Sequence, residues 1–338
     1  MALETTWFVL VTTLLTGYAV LDGFDLGVGV LYPFMGRNRG QKNMLRQAIG
    51  PVWDGNEVWL ITGAGALFAA FPPVYAMVFS GFYLAIMLLL FGLIFRAVAI
   101  EMRGHDPEWG WFWDASFFCG SLLAALLFGC ALGNIVRGVP LDAQGDYSGS
   151  FWDLLNPFSL LVAVTGLLAV LTQGASWAAI KVEGQLHLKA TLTGSGAQWT
   201  FVATLVGLTI YSAFEIPTRM ENVLTRPVGW LAVATLVAGM TGFRVASSRG
   251  NDLVAFLCSS ATITALIGLA AVGNYPALVP ARGTPPETSL TIQNAAATDH
   301  ALAVMLVIAC LGLPAVLTYT TFVYRKFRGK VSVGTGGY

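Results

Sequence analysis

Charged residues are scarce in this chain of 338 residues. Asp, Glu, Lys and Arg together make up 11% of the sequence, whereas 56% of it is hydrophobic. An average soluble domain carries about 25% charged residues, so a soluble fold of this length would have too few polar side chains to cover its surface. Apolar runs of about 18 or more residues recur along the chain instead, and each is long enough to cross a bilayer. The composition therefore predicts an all-α integral membrane protein.

Side chains that bind haems, metals and nucleotides are equally few. The three histidines, His105, His187 and His300, fall in predicted loops or near the end of a span, so we expect no pair of them to hold a haem or a metal ion. The four cysteines lie in apolar segments, and we expect all of them to be small buried side chains. The sequence contains no Cys-X-X-Cys pair and no phosphate-binding glycine loop. A formal net charge of zero gives no indication of a nucleic-acid partner.

Nine apolar segments are predicted to cross the membrane as helices of a single domain covering residues 1–338. Pro72 and Pro73 separate the second segment from the third, and Pro157 opens the fifth. Glu4, and no Lys or Arg, precedes the first apolar run, so the basic start of a signal peptide is absent and the first span is expected to be retained. The predicted spans are 7–34, 52–71, 75–100, 111–134, 157–180, 198–215, 228–246, 252–272 and 299–323.

Basic residues are distributed unequally between the two sides of these spans. Nine crossings put the termini on opposite sides, and 14 of the 18 Lys and Arg residues then fall on one face, including Arg96 and Arg103 at the end of the third span. Because cytoplasmic loops carry an excess of basic residues, this face is predicted to be cytoplasmic and the N-terminus external. The tryptophans of EWGWFW (108–113) match an aromatic belt there, and Asp114 is expected to cap the fourth span or complement its dipole.

Two aspartates interrupt the first predicted span, in the segment GYAVLDGFDLGVG (17–29). At about 1.5 Å per residue, Asp22 and Asp25 would lie about 16 and 12 Å from the cytoplasmic end of the helix, close to the centre of the bilayer. Tyr18, Asp22, Asp25 and Gly29 have the spacing i, i+4, i+7 and i+11, which aligns them on one stripe of the helix. The first span is therefore predicted to carry a polar stripe on an otherwise apolar surface.

The second predicted span begins with two more carboxylates, in GPVWDGNEVWL (50–60). Asp54 and Glu57 share a face at i and i+3, and Asn56 lies beside them. The connection between the first two spans is short, so we expect the helices to be antiparallel neighbours, with the four carboxylates forming a graded series from the cytoplasm to the interior. A charge at the centre of a span costs about 2.5 to 3.5 kcal/mol, so residues of this kind commonly mark routes for ions or protons.

Other interpretations of these residues remain open at this stage. Asp54 could complement the helix dipole, and Asp22 with Asp25 could form a purely structural network. In a secondary transporter the aspartates would bind a coupling ion, and the glycines would allow the helix to break. Gly23 and Gly27 form a GxxxG pattern, which is typical of close packing between membrane helices.

Several long blocks of the sequence resemble a known family. These are GYAVLDGFDLGVGVLYPFMGRN, PVWDGNEVWLITGAGALFAAFPPVYA, FSGFYLA, GNIVRGVP, LLNPFSLL and LTQGASW. They closely resemble subunit II of the cytochrome bd-type quinol oxidases of bacterial respiratory membranes, a group that includes cyanide-insensitive bd-like enzymes. The likeness is dense over residues 17 to about 190 and weaker in the last third of the chain.

The resemblance implies a fold and a function. Subunit II of such oxidases has nine transmembrane helices arranged as two four-helix bundles plus a peripheral helix, and it binds no haem. It packs against subunit I, which carries the haems b and d, and the complex oxidises quinol and reduces dioxygen to water. The protons come from the cytoplasm along a path whose motif residues correspond here to Asp54, Asp22 and Asp25. Some members also hold a structural quinone in subunit II or a small single-helix subunit, and all lie in the bacterial cytoplasmic membrane.

Overall fold

The computed structural model describes residues 2–283, 285 and 288–331, and these residues fold almost entirely as helices. A two-stranded antiparallel sheet, β1 (Ala277–Val279) and β2 (Leu290–Thr291), lies in one loop, and a 3-10 turn covers Phe151–Leu155 in another. The helices are α1 (Ala2–Met35), α2 (Arg39–Ile49), α3 (Trp53–Ala70), α4 (Pro72–Gly81), α5 (Tyr83–His105), α6 (Gly110–Arg137), α7 (Pro157–Lys181), α8 (Gly184–Glu215), α9 (Pro217–Thr225), α10 (Pro227–Ser248), α11 (Asp252–Asn274) and α12 (Asp299–Lys326).

Eight helices of this described part are long and apolar enough to cross a membrane: α1, α5, α6, α7, α8, α10, α11 and α12. Each of them overlaps a predicted span. The second predicted span, 52–71, is the 18-residue helix α3, which is less apolar because it carries Asp54, Asn56 and Glu57. The all-α fold is thereby confirmed, whereas the crossing of the membrane by α3 stays a prediction.

Two short helices were not predicted from the sequence, α2 and α9. Asn38 caps α2 by accepting a hydrogen bond from the Gln41 backbone N–H at 2.9 Å, and the helix buries one apolar edge formed by Leu45, Ala48 and Ile49. The predicted third span is also divided, since α4 ends at Gly81 and α5 begins at Tyr83. These are local differences that leave the order of the long helices unchanged.

Helix α1 lies at the centre of the fold and packs against α3, α6, α7 and α11. Its contact with α7 is close because glycines face each other: a Cβ on Gly27 would collide with the carbonyl group of Val170, and a Cβ on Gly174 would collide with the backbone of Gly27. The GxxxG prediction of close helix packing at Gly23 and Gly27 is therefore confirmed, and α1 is held firmly between its neighbours.

Helix α12 is the least buried of the long helices, and it contacts α1 and α3. Its outer face carries exposed apolar side chains such as Leu311, which is 74% exposed. The four cysteines are free thiols, but the expectation that all of them are buried is wrong for Cys119 and Cys310. Both lie on outer surfaces of membrane helices, where an apolar side chain is as well solvated by lipid as by protein.

Candidate functional site

Arg96 is the centre of a buried ionic cluster that joins α1, α3 and α5. The side chain has no solvent exposure. Its Nη2 donates to Asp22 Oδ1 at 2.6 Å and its Nη1 donates to Asp22 Oδ2 at 3.2 Å, while Nη1 also donates to Glu57 Oε1 at 2.7 Å. The planar fork of a guanidinium matches the two oxygens of one carboxylate, which fixes the orientation of both groups.

The assignment of Arg96 to the cytoplasmic surface is therefore wrong. The residue lies in the apolar run LIFRAVAI of α5, and a guanidinium there is stable only when it is paired. Asp22 is likewise fully buried, and the Glu57 side chain is 22% exposed. The cation thus joins an interior carboxylate to one that reaches the surface.

Asp25 lies in a second part of the same site, where its hydrogen-bond partners are uncharged. Asn56 Nδ2 donates to Asp25 Oδ2 at 2.7 Å and to the Leu21 carbonyl at 3.0 Å. The hydroxyl group of Tyr324, on α12, donates to Asn56 Oδ1 at 2.9 Å. Asp25 is fully buried, and its Oδ1 makes no hydrogen bond within the described residues. This free oxygen is available to receive a proton or a water molecule.

The other two predicted residues differ in position. Tyr18 is buried one helical turn from Asp22, and its ring packs edge-on against Phe128 at 5.0 Å between centroids. Asp54 is exposed in the first turn of α3, outside the hydrogen-bonded cluster. The structure therefore brings Asp22 and Glu57 together through Arg96, holds Asp25 through Asn56, and leaves Asp54 at the surface. The four carboxylates are less exposed from Asp54 at the surface, through Glu57, to the buried Asp22 and Asp25, and their action as a graded series stays a prediction.

The cluster contains more acid than base. With all groups ionised, Asp22, Asp25 and Glu57 carry three negative charges against the single positive charge of Arg96, so protons bound among the acids reduce the net charge of the interior. Carboxylates that gain and lose a proton without leaving their positions are suited to passing protons. The described residues thus place three ionisable carboxyl groups around one buried cation.

A second ionic cluster corrects the expected role of Asp114. This residue lies in the second turn of α6 and does not cap the helix. Its carboxylate accepts hydrogen bonds from the Tyr32 hydroxyl at 2.8 Å, from Lys42 Nζ at 2.7 Å and from Arg103 Nε at 2.7 Å. Asp114 thus joins the ends of α1 and α5 to α2, and the dipole of its own helix is a minor factor.

The histidines lie apart from the cluster. His187 Nε2 lies 2.8 Å from Asp252 Oδ2, and His105 Nδ1 lies 3.0 Å from the Glu101 carbonyl oxygen. Within residues 2–283, 285 and 288–331, no group of three His, Cys, Asp or Glu side chains is placed to hold a metal ion. The chemistry that these described residues offer is proton binding and charge pairing.

Comparison with known proteins gives a consistent assignment. Residues 3–327 match the model of the family described as cytochrome bd terminal oxidase subunit II. The chain is 36% identical to the probable cytochrome oxidase subunit 2 of Haemophilus influenzae and 35% identical to the cytochrome bd-I ubiquinol oxidase subunit 2 of Escherichia coli K12, in each case over 96% of this chain and 94% of the relative. It is 32% identical to the cytochrome bd ubiquinol oxidase subunit 2 of Bacillus subtilis, over 98% and 97% of the two chains.

The fold has a counterpart among solved structures. The bd oxidase of Geobacillus thermodenitrificans aligns with a TM-score of 0.77 over 97% of this chain and 99% of that chain, at 17% identity. At this identity the likeness concerns the fold alone, and it agrees with the sequence matches over almost the full length. The chain belongs to the cytochrome bd terminal oxidase subunit II family and is a multi-pass membrane subunit of a quinol oxidase.

Proposed function

We propose that this chain is the haem-free subunit of a complex that oxidises quinol and reduces dioxygen to water, and that it conducts protons from the cytoplasm towards the haems of its partner. The observation that carries this proposal is the buried cluster in which Arg96 pairs with Asp22 and Glu57 next to Asp25. Reduction of dioxygen consumes protons, and a membrane interior supplies them only through ionisable side chains or water.

The proposed path begins at the surface of α3. Asp54 is exposed and collects protons, and Glu57, whose side chain is 22% exposed, takes them up one turn deeper. Arg96 keeps the carboxylates of Glu57 and Asp22 in place. It does not pass protons on, because a guanidinium stays protonated. Asp25 then holds the proton on the oxygen that has no other partner among the described residues.

The orientation of the chain in the membrane is proposed from the distribution of its Lys and Arg residues. The excess of basic residues on one face persists without Arg96, so we propose a cytoplasmic C-terminus and an external N-terminus in the bacterial inner membrane. Asp54 and Glu57 lie near the start of α3, which is its cytoplasmic end in this orientation. Proton uptake from the cytoplasm makes the reaction electrogenic, because the charge moves inward across part of the bilayer.

We propose that subunit I packs against the side formed by α3, α5 and α12. Helix α3 exposes Thr62 and Gly65 in its middle turns. Small side chains at this depth are typical of contacts between membrane helices, because they allow the backbones to approach closely. This side also adjoins the ionic cluster, so protons would reach the partner by the shortest route. A small single-helix subunit could add to the same assembly.

The helix arrangement is proposed to be that of the family. The chain would form two four-helix bundles, one built from α1, α3, α5 and α6 and the other from α7, α8, α10 and α11, with α12 as the peripheral ninth helix. The low burial of α12 supports its peripheral place. Helix α5 packs on α6, α7 on α8 and α10 on α11 within the proposed bundles, while the contacts of α7 with α1 and α6 would join the two bundles.

Cofactors would divide between the two subunits. Electron transfer and oxygen chemistry would be supplied by the haems b and d of subunit I, since the histidines described above are engaged in surface contacts. A structural quinone fits the apolar groove of about 300 Å³ between α1, α3 and α12, where Trp59 Nε1 is buried without an acceptor in the described part of the chain. The quinone content of the purified complex, compared between the wild type and Trp59→Phe, measures whether this groove holds it.

The proton path is tested on the intact complex in proteoliposomes. Quinol-dependent oxygen uptake and proton uptake from the cytoplasmic side are recorded for the wild type, Glu57→Gln, Asp25→Asn and the control Glu108→Gln, which changes an exposed glutamate of a loop. Replacement of a carboxylate by its amide preserves the volume and most hydrogen bonds while it removes the exchangeable proton.

We expect both cluster variants to lose at least about tenfold in turnover, as for the loss of a general acid–base group, with haem content unchanged and Glu108→Gln as active as the wild type. Unchanged turnover and unchanged proton uptake in both cluster variants would show that the carboxylates serve only to pack the helices. The subunit assignment would survive that result, but the proton path would not.

A further inference from the structure

Arg46, on α2, is buried and forms no ion pair with an acidic side chain of residues 2–283, 285 and 288–331. The residue is 8% exposed, and its Nη1 atom is fully shielded and makes no hydrogen bond within the described residues. Its guanidinium lies on α5, since a Cβ on Gly104 would come within 3.4 Å of Nη2. Burial lowers the pKa of Arg46 from its ordinary value, although the group stays charged. The described residues therefore leave this buried cation without a bonded anion.

The charged residues near Arg46 do not neutralise it. Arg103, Lys42 and Tyr32 all donate to Asp114, and this carboxylate makes no hydrogen bond with Arg46 within the described residues. Glu101 is close enough to act on Arg46 through space but is exposed and makes no ion pair with it in the described part of the chain. Three basic side chains therefore lie near Asp114, and in the described part of the chain only Lys42 and Arg103 are bonded to its carboxylate.

We propose that Arg46, together with Lys42 and Arg103, binds a phosphate group, supplied by the headgroup of an anionic phospholipid. A guanidinium donates two parallel hydrogen bonds to phosphate oxygens, and an adjacent lysine adds a mobile point charge. Both requirements are met here by the unpaired Nη1 of Arg46 and by Lys42, whose side chain is 25% exposed.

The depth of the site in the membrane favours a lipid as the source of the phosphate. Arg46 lies where α5 ends at His105 and α6 begins at Gly110, so two long apolar helices meet the polar layer at this point. Trp109 and Trp111, at the start of α6, have 56% and 71% of their surfaces exposed. Exposed tryptophans at helix ends lie at the level of the lipid headgroups, and basic pockets between such ends bind anionic headgroups.

The experiment uses the purified, delipidated oxidase complex in a neutral detergent. The thermal midpoint of the complex is followed while phosphatidylglycerol is added, and parallel titrations use phosphatidylcholine and inorganic phosphate. The wild type is compared with Arg46→Gln and with the matched control Arg39→Gln, which changes an exposed arginine of the same helix. Arg46 is not part of the proposed proton path, so the result is independent of the fate of that path.

We expect phosphatidylglycerol to raise the midpoint of the wild type and of Arg39→Gln with the same half-saturating concentration. Arg46→Gln should need roughly tenfold more of the lipid, because it lacks a charge-assisted hydrogen bond. If inorganic phosphate alone produces the whole shift in the wild type, the site binds free phosphate and the lipid source is overturned. Equal responses of the wild type and Arg46→Gln, or equal effects of the two lipids, overturn the site itself.

A second variant keeps the test decisive if Arg46→Gln fails to assemble. Lys42→Gln leaves Asp114 bonded to Tyr32 and Arg103 and removes only the more exposed cation. About threefold weaker binding of phosphatidylglycerol is expected for this variant, because a partly exposed charge is screened by solvent. A structure of the complex in which a carboxylate of the partner subunit pairs with Arg46 would contradict the proposal.

Discussion

Arg96 and Asp22 form a pair in which each charge depends on the other. Both side chains are fully buried, and two hydrogen bonds of 2.6 and 3.2 Å join them. Asp22→Asn leaves a buried guanidinium with Glu57 as its only carboxylate partner in the cluster, and breaking a buried pair in this way costs about 3 to 5 kcal/mol. We therefore expect Asp22→Asn to lower the thermal midpoint of the complex strongly, measured by loss of the native haem spectrum on heating.

The control for this prediction is a double variant. Asp22→Asn combined with Arg96→Met removes both charges, and apolar replacement of a buried ion pair is often neutral for stability. The thermal midpoint of the double variant should return most of the way to that of the wild type. Asp25→Asn should have the wild-type midpoint, because Asp25 accepts a hydrogen bond only from Asn56 among the described residues. Equal midpoints for Asp22→Asn and Asp25→Asn would contradict the pairing.

Tyr324 acts on Asp25 through Asn56. Its hydroxyl donates to Asn56 Oδ1, which directs the amide nitrogen of Asn56 towards Asp25 and the Leu21 carbonyl. Tyr324→Phe removes this constraint and leaves the ring in contact with Trp177. We expect turnover to fall about threefold to tenfold, consistent with the net value of about 1 kcal/mol for one hydrogen bond, with little change in stability.

The matched control is Tyr319→Phe, because Tyr319 lies on the same helix and is 61% exposed. Steady-state oxygen uptake as a function of pH is the measurement, since a change in packing alone would leave its shape unchanged. A Tyr324→Phe profile identical in rate and shape to that of the Tyr319→Phe variant would exclude the positioning role.

Some residues of the site could be found from the sequence and others could not. Asp22, Asp25 and Glu57 stand out because charges inside apolar runs are costly. The same reasoning identifies Arg96 in LIFRAVAI. The predicted third span stops at residue 100, five residues before the end of α5, and this places Arg96 too near a helix end. Tyr324 carries no such signal, since a tyrosine near the end of a span is typical of the membrane interface.

At the scale of elements, hydropathy predicts the long helices well because each must be apolar over its full crossing. It fails for α2 and α9, which have 11 and 9 residues and are amphipathic surface helices. It also places the start of α8 too late, since this helix begins at Gly184 with polar turns that lie beyond the apolar stretch. Packing partners such as α1 and α7 are not visible in hydropathy at all.

The crossing of α1 and α7 depends on glycine. Gly27 and Gly174 face each other so closely that neither tolerates a Cβ without movement of the backbone. We expect Gly27→Val to destabilise the complex by at least about 1 to 3 kcal/mol, as for overpacking of a filled core, which would lower the yield of haem-containing complex. Gly166→Ala is the control, because a Cβ on this glycine of α7 meets nothing within 4 Å. Equal yields for the two variants would mean that α1 and α7 can move apart without loss of stability.

At the scale of the whole molecule, the number of crossings depends on α3. Among the described residues, eight helices are apolar enough to span the membrane, and α3 is long enough to do so at about 27 Å for its 18 residues. Glu57, in its second turn, pairs with the buried Arg96, so this charge faces protein rather than lipid if the helix crosses. The orientation of all later loops changes with this one helix.

Two single cysteine substitutions decide between eight and nine crossings. Arg39 precedes α3, and Trp152, which is 75% exposed, lies between α6 and α7. If α3, α5 and α6 all cross, these positions lie on opposite sides, so a membrane-impermeant maleimide should label Trp152→Cys in intact cells and Arg39→Cys only in inverted vesicles. The native thiols lie in membrane helices and serve as the unlabelled background. If α3 does not cross, only α5 and α6 separate the two positions, and both would be labelled from the same side.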